Sequence, residues 1–277
     1  MRVLVWGHGS GLGLAVEQEL RRTGHVLGAE SGARWDAMVV ATPESLSPRC
    51  EEASFVGRAR RLVVLTSAEA PVRPLAAWAA RAEQRTVLRM PFLYGPGVSS
   101  CPLTRYWRRM LPERPAVVVP RPEAERRRAR GYIENVAAAV VWAATSPRAA
   151  GKDYAIADPG DFCEWEWAVE VGRACGWRGS IILAGEPVRG RELPLPGSGV
   201  IRREPGGRAG VGLRAGLIAT IAWEQAHASP PADAEAAALA AGEDVWLRQV
   251  GLLDARGQAA RWKASGSRGG MMFEPAR

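Results

Sequence analysis

The chain has 277 residues, 47% of them apolar and 24% charged; at roughly 150 residues per domain this means one to two domains, and a disordered or fibrous chain is excluded. The 37 basic residues outnumber the 29 acidic ones, for a net charge of +8, but only Lys152 and Lys263 are lysines and the arginines are scattered. Without zinc-finger spacing or aromatics interleaved with a basic stripe, the excess is compositional and no nucleic-acid partner is expected.

Residues 2–6 (RVLVW) form a short apolar run ending at glycine, the pattern of a buried parallel strand. Residues 11–22 repeat Leu12, Ala15, Val16 and Leu20 at helical spacing. Strands are predicted at 25–29, 37–41, 61–66 and 86–89, with a helix at 75–84 between the last two. Strands alternating with helices predict an α/β fold, a Rossmann-like doubly wound parallel sheet with helices on both faces. Residues 95–130 are rich in Pro and Arg and carry little periodicity. A helix follows at 131–145, a strand at 153–157, a helix at 164–175, and a Gly/Pro-rich linker at 187–207. A helix at 213–227 turns Leu217, Ile221 and Trp223 inward, Pro230 and Pro231 break the chain, and a last helix at 232–250 precedes a polar tail expected to be disordered. The organisation expected is a dinucleotide domain at 1–157, with 95–130 inserted toward a smaller C-terminal substrate lobe at 158–228, and an extra helix and tail at 229–277.

No apolar stretch reaches the roughly 18 residues that cross a bilayer. No membrane association is expected, and a soluble, unprocessed protein is the default. Cys50, Cys101, Cys163 and Cys175 include no C-x-x-C pair, and His8, His25 and His227 are not at ligand spacing. Reduced thiols in a cytoplasmic protein without a metal site are expected.

The segment Gly7-His8-Gly9-Ser10-Gly11-Leu12-Gly13 follows the first strand and opens the first helix. Glycine there permits a sharp turn, close approach of a pyrophosphate to main-chain N–H groups, and tight helix–strand packing. The helix N-terminus adds unpaired donors and partial positive charge. A plain strand-to-helix turn without a ligand is the alternative.

The spacing Gly7-x-x-x-Gly11-x-Gly13 resembles the nucleotide loop of the short-chain dehydrogenase/reductase superfamily, with Trp6 where a Thr is usual. Four further segments resemble its extended, NAD-dependent epimerase/dehydratase type, in order: 62–68 (LVVLTSA), 88–97 (LRMPFLYGPG), 130–137 (RGYIENVA) and 213–223. Together with the loop they span residues 1 to about 228. The chain is too short before Asp36 for the usual extra strand and helix, so a sheet trimmed on one edge is expected. The resemblance implies NAD or NADP as cofactor, held by Gly7, His8, Gly9, Ser10, Gly11, Leu12, Gly13, Thr42, Ser67, Arg81 and Pro91. Glu30, beyond the second strand, would bond the adenosine ribose and favours NAD, whereas nearby Arg34 would accept the phosphate of NADP; NAD is preferred.

The family's chemistry uses Tyr and Lys at i and i+4 on one helix, so that the lysine lowers the phenol pKa. Four residues beyond Tyr94, Tyr106, Tyr132 and Tyr154 stand Val98, Met110, Val136 and Asp158, so no such pair exists. Alignment of 81–83 (RAE) with the usual K-A-E puts Ala77 at the tyrosine and Arg81 at the lysine. Ser67 would polarise a substrate oxygen, and Tyr94 or Tyr132 would donate the proton. Each also reads as an ordinary strand-end hydroxyl or packing aromatic. The arginine-rich run 121–130, with Arg130 at its end, either clamps a diphosphate or is a solvated face. Trp165, Trp167 and Trp177 are expected in the core and between lobes.

Two functions follow. One is an NAD(P)-dependent epimerase/dehydratase-like oxidoreductase with an altered proton relay, acting on a small polar substrate, with a nucleotide-sugar among the candidates. The other is a catalytically inactive dinucleotide-binding sensor or regulator. A homodimer is expected by analogy with the superfamily.

Overall fold

The structure, a computed structural model, describes residues 1–7, 11–28, 34–41, 58–67, 84–98, 101, 103–110, 114–160, 162–185, 200–201, 210–227 and 230–253. In chain order the elements begin with β1 (Arg2–Trp6), α1 (Gly11–Arg22), β2 (Val26–Leu27), β3 (Trp35–Val40), β4 (Ala59–Ser67), β5 (Gln84–Met90) and β6 (Phe92–Tyr94). They continue with α2 (Thr104–Trp107), β7 (Ala116–Pro120), α3 (Arg121–Ala124), β8 (Arg130–Tyr132), α4 (Ile133–Thr145) and β9 (Asp153–Ile156). The last are α5 (Glu164–Cys175), β10 (Ser180–Ala184), β11 (Val200–Ile201), α6 (Leu213–Ala226) and α7 (Pro230–Gln249). The chain divides into two compact units: Met1–Ser99, Ala129–Pro159 and Pro194–Gly212 in the first; Ser100–Arg128, Gly160–Leu193 and Leu213–Arg277 in the second.

The first unit is built on a seven-stranded sheet of order β11-β9-β5-β4-β3-β1-β2. Every pairing in it is parallel. From β1 the chain goes to β2 on one side and then crosses to β3 on the other. That reversal makes β1 the topological switch point, where open α/β sheets form their ligand crevice. The two-residue β2 ends the sheet on that side.

Strand alternation divides the core. Val3, Val5, Ala37, Val39, Val63 and Leu65 join Val16 and Leu20 of α1 and Val136 and Val140 of α4 in one cluster. Leu4, Met38, Val40, Leu62 and Val64, one residue out of phase, form a second cluster with Trp35 and Ala59. Each fully buried aliphatic side chain here contributes roughly 1.5–3 kcal/mol of transfer free energy.

The predicted helix at 131–145 begins at Ile133 instead, because residues 130–132 pair as a strand with Phe92–Tyr94. Gly131 permits this: a Cβ there would lie 2.6 Å from Val136 Cγ2 and 2.7 Å from Pro91 Cγ. Of the predicted helix at 75–84, residues 75–83 lie outside the described residues and Gln84 begins β5 instead; the tail beyond 253 also lies outside the described residues.

The second unit contains structure where 95–130 shows little periodicity. Strand β7 pairs in parallel with β10, which sequence patterning missed. Ala116, Ile182, Leu247 and Leu253 pack together in this unit. Pro230 and Pro231 start α7 rather than merely breaking the chain, since the first helical positions have no N–H partner to lose.

A polar cluster ties the unit's elements together. Arg108 bonds Glu224 at 3.0 Å and also meets Asp233. Arg109 and Arg114 both engage Glu243, the latter at 2.8 Å, and Glu243 accepts the Val118 N–H at 3.0 Å. Burial pushes the Glu243 carboxyl up and the Arg109 guanidinium down, against the attraction between them. Tyr106 donates to Glu164 at 3.0 Å. In α6 it is Glu224, not Trp223, that is buried; Trp223 is half-buried and stacks on His227.

Candidate functional site

The crevice side of the first unit is the carboxyl edge of its sheet. There β1 ends at Trp6, Gly7 takes a φ of 87°, and α1 begins at Gly11. The first turn of α1 carries no acidic residue, so its N-terminal partial charge is not neutralised from within. Leu12 and Gly13 are buried, with Leu12 in the main core. His8, Gly9 and Ser10 lie outside the described residues, as do Glu30, Thr42 and Arg81.

Gly11 is glycine for a reason the sequence does not disclose. A Cβ there would fall 2.1 Å from the carbonyl oxygen of Gly97. Gly97 and Gly95 themselves adopt φ of 79° and 137°. The turn after β6 therefore lies directly on the start of α1, and the 88–97 segment and the glycine loop are one piece of structure.

Behind that turn sits a polar network. Tyr94, 1% exposed, donates its hydroxyl to Asp158 Oδ2 at 2.9 Å. The Tyr132 N–H donates to the same oxygen at 2.7 Å, and Asn135 Nδ2 donates to Oδ1 at 2.8 Å. Asn135 also exchanges two hydrogen bonds with the Val211 backbone, at 2.8 and 3.0 Å. Burial pushes the Asp158 carboxyl above its ordinary value, while the three donors pull it back. The Tyr94 and Tyr132 rings stand 5.5 Å apart, tilted. Burial and Glu134 push the Tyr132 phenol up to about 12.

The remaining sequence-derived candidates scatter. Ser67 ends β4 at the carboxyl edge, exposed and level with Met90 on β5. Pro91 is buried between β5 and β6. Arg130 is buried on β8, level with Phe92. Arg34 precedes β3 and is exposed at the amino edge of the sheet. Six residues of strand at roughly 3.3 Å each put it about 20 Å from the carboxyl edge. The structure thus brings Gly7, Gly11, Leu12 and Gly13 to one corner and couples Tyr94 with Tyr132, while Arg34 stands apart. In the second unit, Arg128 bonds Glu123 at 2.8 Å and Arg126 approaches it at 3.5 Å, so part of the arginine-rich run is neutralised locally. Trp167 is buried, whereas Trp165 and Trp177 are half-buried.

Sequence reasoning missed Asp158, which no local motif marks, and gave no role to Asn135, although it stands inside the 130–137 segment. Among the described residues no cluster of His, Cys, Asp or Glu could hold a metal, and no helix is long and apolar enough to cross a membrane.

No protein-family model matches the chain, and no curated protein matches it. Solved structures do. MoeE5 in complex with UDP-glucose and NAD is 18% identical, over 83% of this chain and 100% of that one, at a TM-score of 0.55. UDP-glucose 4-epimerase from Thermotoga maritima, with UDP-glucose, is 14% identical over 82% and 99%, at 0.51. The GDP-mannoheptose C4 reductase of Campylobacter jejuni, with NADP bound, is 13% identical over 81% and 98%, at 0.52. The chain therefore has the Rossmann-like α/β fold of these nucleotide-sugar epimerases and reductases.

Proposed function

We propose that the chain binds NAD(H) or NADP(H) and acts as an epimerase/dehydratase-like oxidoreductase on a polar, nucleotide-linked sugar substrate, in the cytoplasm and as a homodimer. The observation that carries this is the β1–α1 turn: it stands at the switch point of a parallel sheet, with Gly7 in the left-handed region and a helix start free of carboxylates. These residues fit a pyrophosphate, which needs main-chain donors, positive potential and no intruding side chain. The UDP-glucose, NAD and NADP bound by the structural neighbours support the same reading. A nicotinamide there would supply a hydride acceptor or donor. In this reading Gly7, Gly11 and Gly13 hold the phosphates, Ser67 bonds a substrate oxygen, and the Gly95–Val98 turn fixes the start of α1. Glu30 rather than Arg34 would choose the cofactor, because Arg34 stands at the wrong edge.

A second reading, a dinucleotide-binding sensor without turnover, is favoured by the tyrosines. Tyr94 is buried and commits its hydroxyl to Asp158. Tyr132 ionises near 12, far from where an acid–base catalyst operates.

The test is a melting curve of the protein with each of the four nucleotides. A ligand at 100 times its Kd stabilises the native state by about 2.7 kcal/mol. A rise with NAD or NADP supports both readings, and no rise with any of them overturns both. Hydride exchange with UDP-glucose, followed at the nicotinamide absorbance, then separates enzyme from sensor.

A further inference from the structure

Arg89 lies on β5 one residue before its end and is only 8% exposed. Pairing sets it level with Thr66 on β4 and Ala155 on β9, both buried. Alternation turns its side chain to the sheet face opposite Leu88, which belongs to the core shared with α1 and α4. Among the described residues none accepts a hydrogen bond from this guanidinium or forms an ion pair with it, and its Nε is a buried donor left unmade. Arg108 and Arg121 of the second unit also leave a buried Nε unmade, but the arginines buried there each reach a carboxylate: Arg108 meets Glu224, Arg109 meets Glu243, and Arg121 approaches Glu125 at 3.9 Å.

A guanidinium is always charged, and burying one without a counter-charge is far more costly than burying a hydrocarbon of its size. A chain that keeps such a group at the carboxyl end of a central parallel strand has placed it where open α/β sheets meet their ligands. We infer that Arg89 receives an oxyanion, a phosphate or a carboxylate, of a ligand bound at the carboxyl edge of β4 and β5. The planar fork of donors matches two oxygens of either group.

That oxyanion is not the pyrophosphate of a dinucleotide seated at the β1–α1 turn. In the order β1-β3-β4-β5, three strand spacings of roughly 4.8 Å separate the two places, about 14 Å, longer than any side chain. It belongs to a second ligand. The inference rests on the proposed function in taking that ligand to be the substrate, which it makes anionic near the position of Ser67.

The experiment is a melting curve of the full chain in chloride, phosphate and acetate at equal ionic strength, with NAD and NADP as separate arms. Phosphate or acetate should raise the melting temperature above that in chloride, the larger rise identifying the preferred group. Arg89→Met should abolish this rise, melt in chloride at or above the wild-type temperature, and keep any nucleotide response. Arg89→Lys, with the charge but not the fork, should keep part of the anion response. Identical melting of the wild type in all three salts overturns the inference. An Arg89→Met protein that melts well below the wild type in chloride, or does not fold, overturns it too, because Arg89 then serves the fold. A wild type that responds to anions but to neither nucleotide refutes the dinucleotide reading and leaves the anion site standing.

Discussion

Asp158 gathers donors from three separate elements, and its removal gives the sharpest test of how the first unit is held. Asp158→Ala leaves the Tyr94 hydroxyl, the Tyr132 N–H and one Asn135 amide proton without their acceptor. An unmade donor costs about 1–3 kcal/mol. Asp158 is half-buried, so water can reach part of the space and the low end applies, about 3 kcal/mol for the three. Losing the desolvation of the carboxylate offsets some of that, leaving about 2–3 kcal/mol. Asp158→Asn keeps an oxygen for the two tyrosine donors but turns an amide nitrogen toward Asn135 Nδ2, for a loss of about 1 kcal/mol. Urea unfolding followed by tryptophan fluorescence reads both, as a shift of midpoint at constant m.

The pH dependence has a defined sign. Burial, the larger cause, raises the Asp158 pKa above 3.8, so the folded state holds the proton more tightly than the unfolded chain. Its contribution to stability is therefore complete below 3.8 and fades as pH rises through the folded value. The margin of wild type over Asp158→Asn should narrow across that interval. Equal stability of wild type and Asp158→Ala at neutral pH, or a margin that widens with pH, would refute the reasoning.

Other expectations follow from single contacts. Gly11→Ala drives a methyl into the Gly97 carbonyl and should destabilise by about 1–3 kcal/mol even without nucleotide, seen as a lower melting temperature; an unchanged one would mean that the two turns do not touch. Glu243→Ala takes from Arg109 its carboxylate and leaves Arg114 with Asp244 alone, and should cost about 3–5 kcal/mol in urea unfolding, whereas a loss under about 1 kcal/mol would show the pairs to be solvent-screened. The ultraviolet titration of the protein minus that of Tyr132→Phe should show phenolate only near pH 12; ionisation at the ordinary value of 10 would show Tyr132 to be open to water.

The sequence disclosed what depends on near neighbours in the chain. The apolar run of β1, the 3.6-residue spacing of α1 and the stretch 164–175 are local patterns, and the last coincides with α5 residue for residue. Residues 130–132 looked helical because Ile133, Val136 and Val140 continue the period, but their strand pairing is with residues far back in the chain. The Asp158 network is illegible for the same reason. Its donors stand 64, 26 and 23 positions away, and only the fold brings them together. Trp223 was expected inward on hydrophobicity alone, yet Glu224 takes the interior place because Arg108 waits there. That Arg89 has no ion-pair partner among the described residues is likewise a property of its surroundings, which no spacing in the sequence encodes.

Strand β7 has a neighbour on one flank, β10, and on the other the Val118 N–H points at the Glu243 carboxylate. An open strand flank recruits strands from other molecules, and proteins blunt it with charge or a covering helix. Here α7 supplies both at once. Protein cut short before Pro230 would lose that guard, so truncation should show itself first as self-association of the shortened product, with intermolecular β-structure, rather than as simple loss of helix.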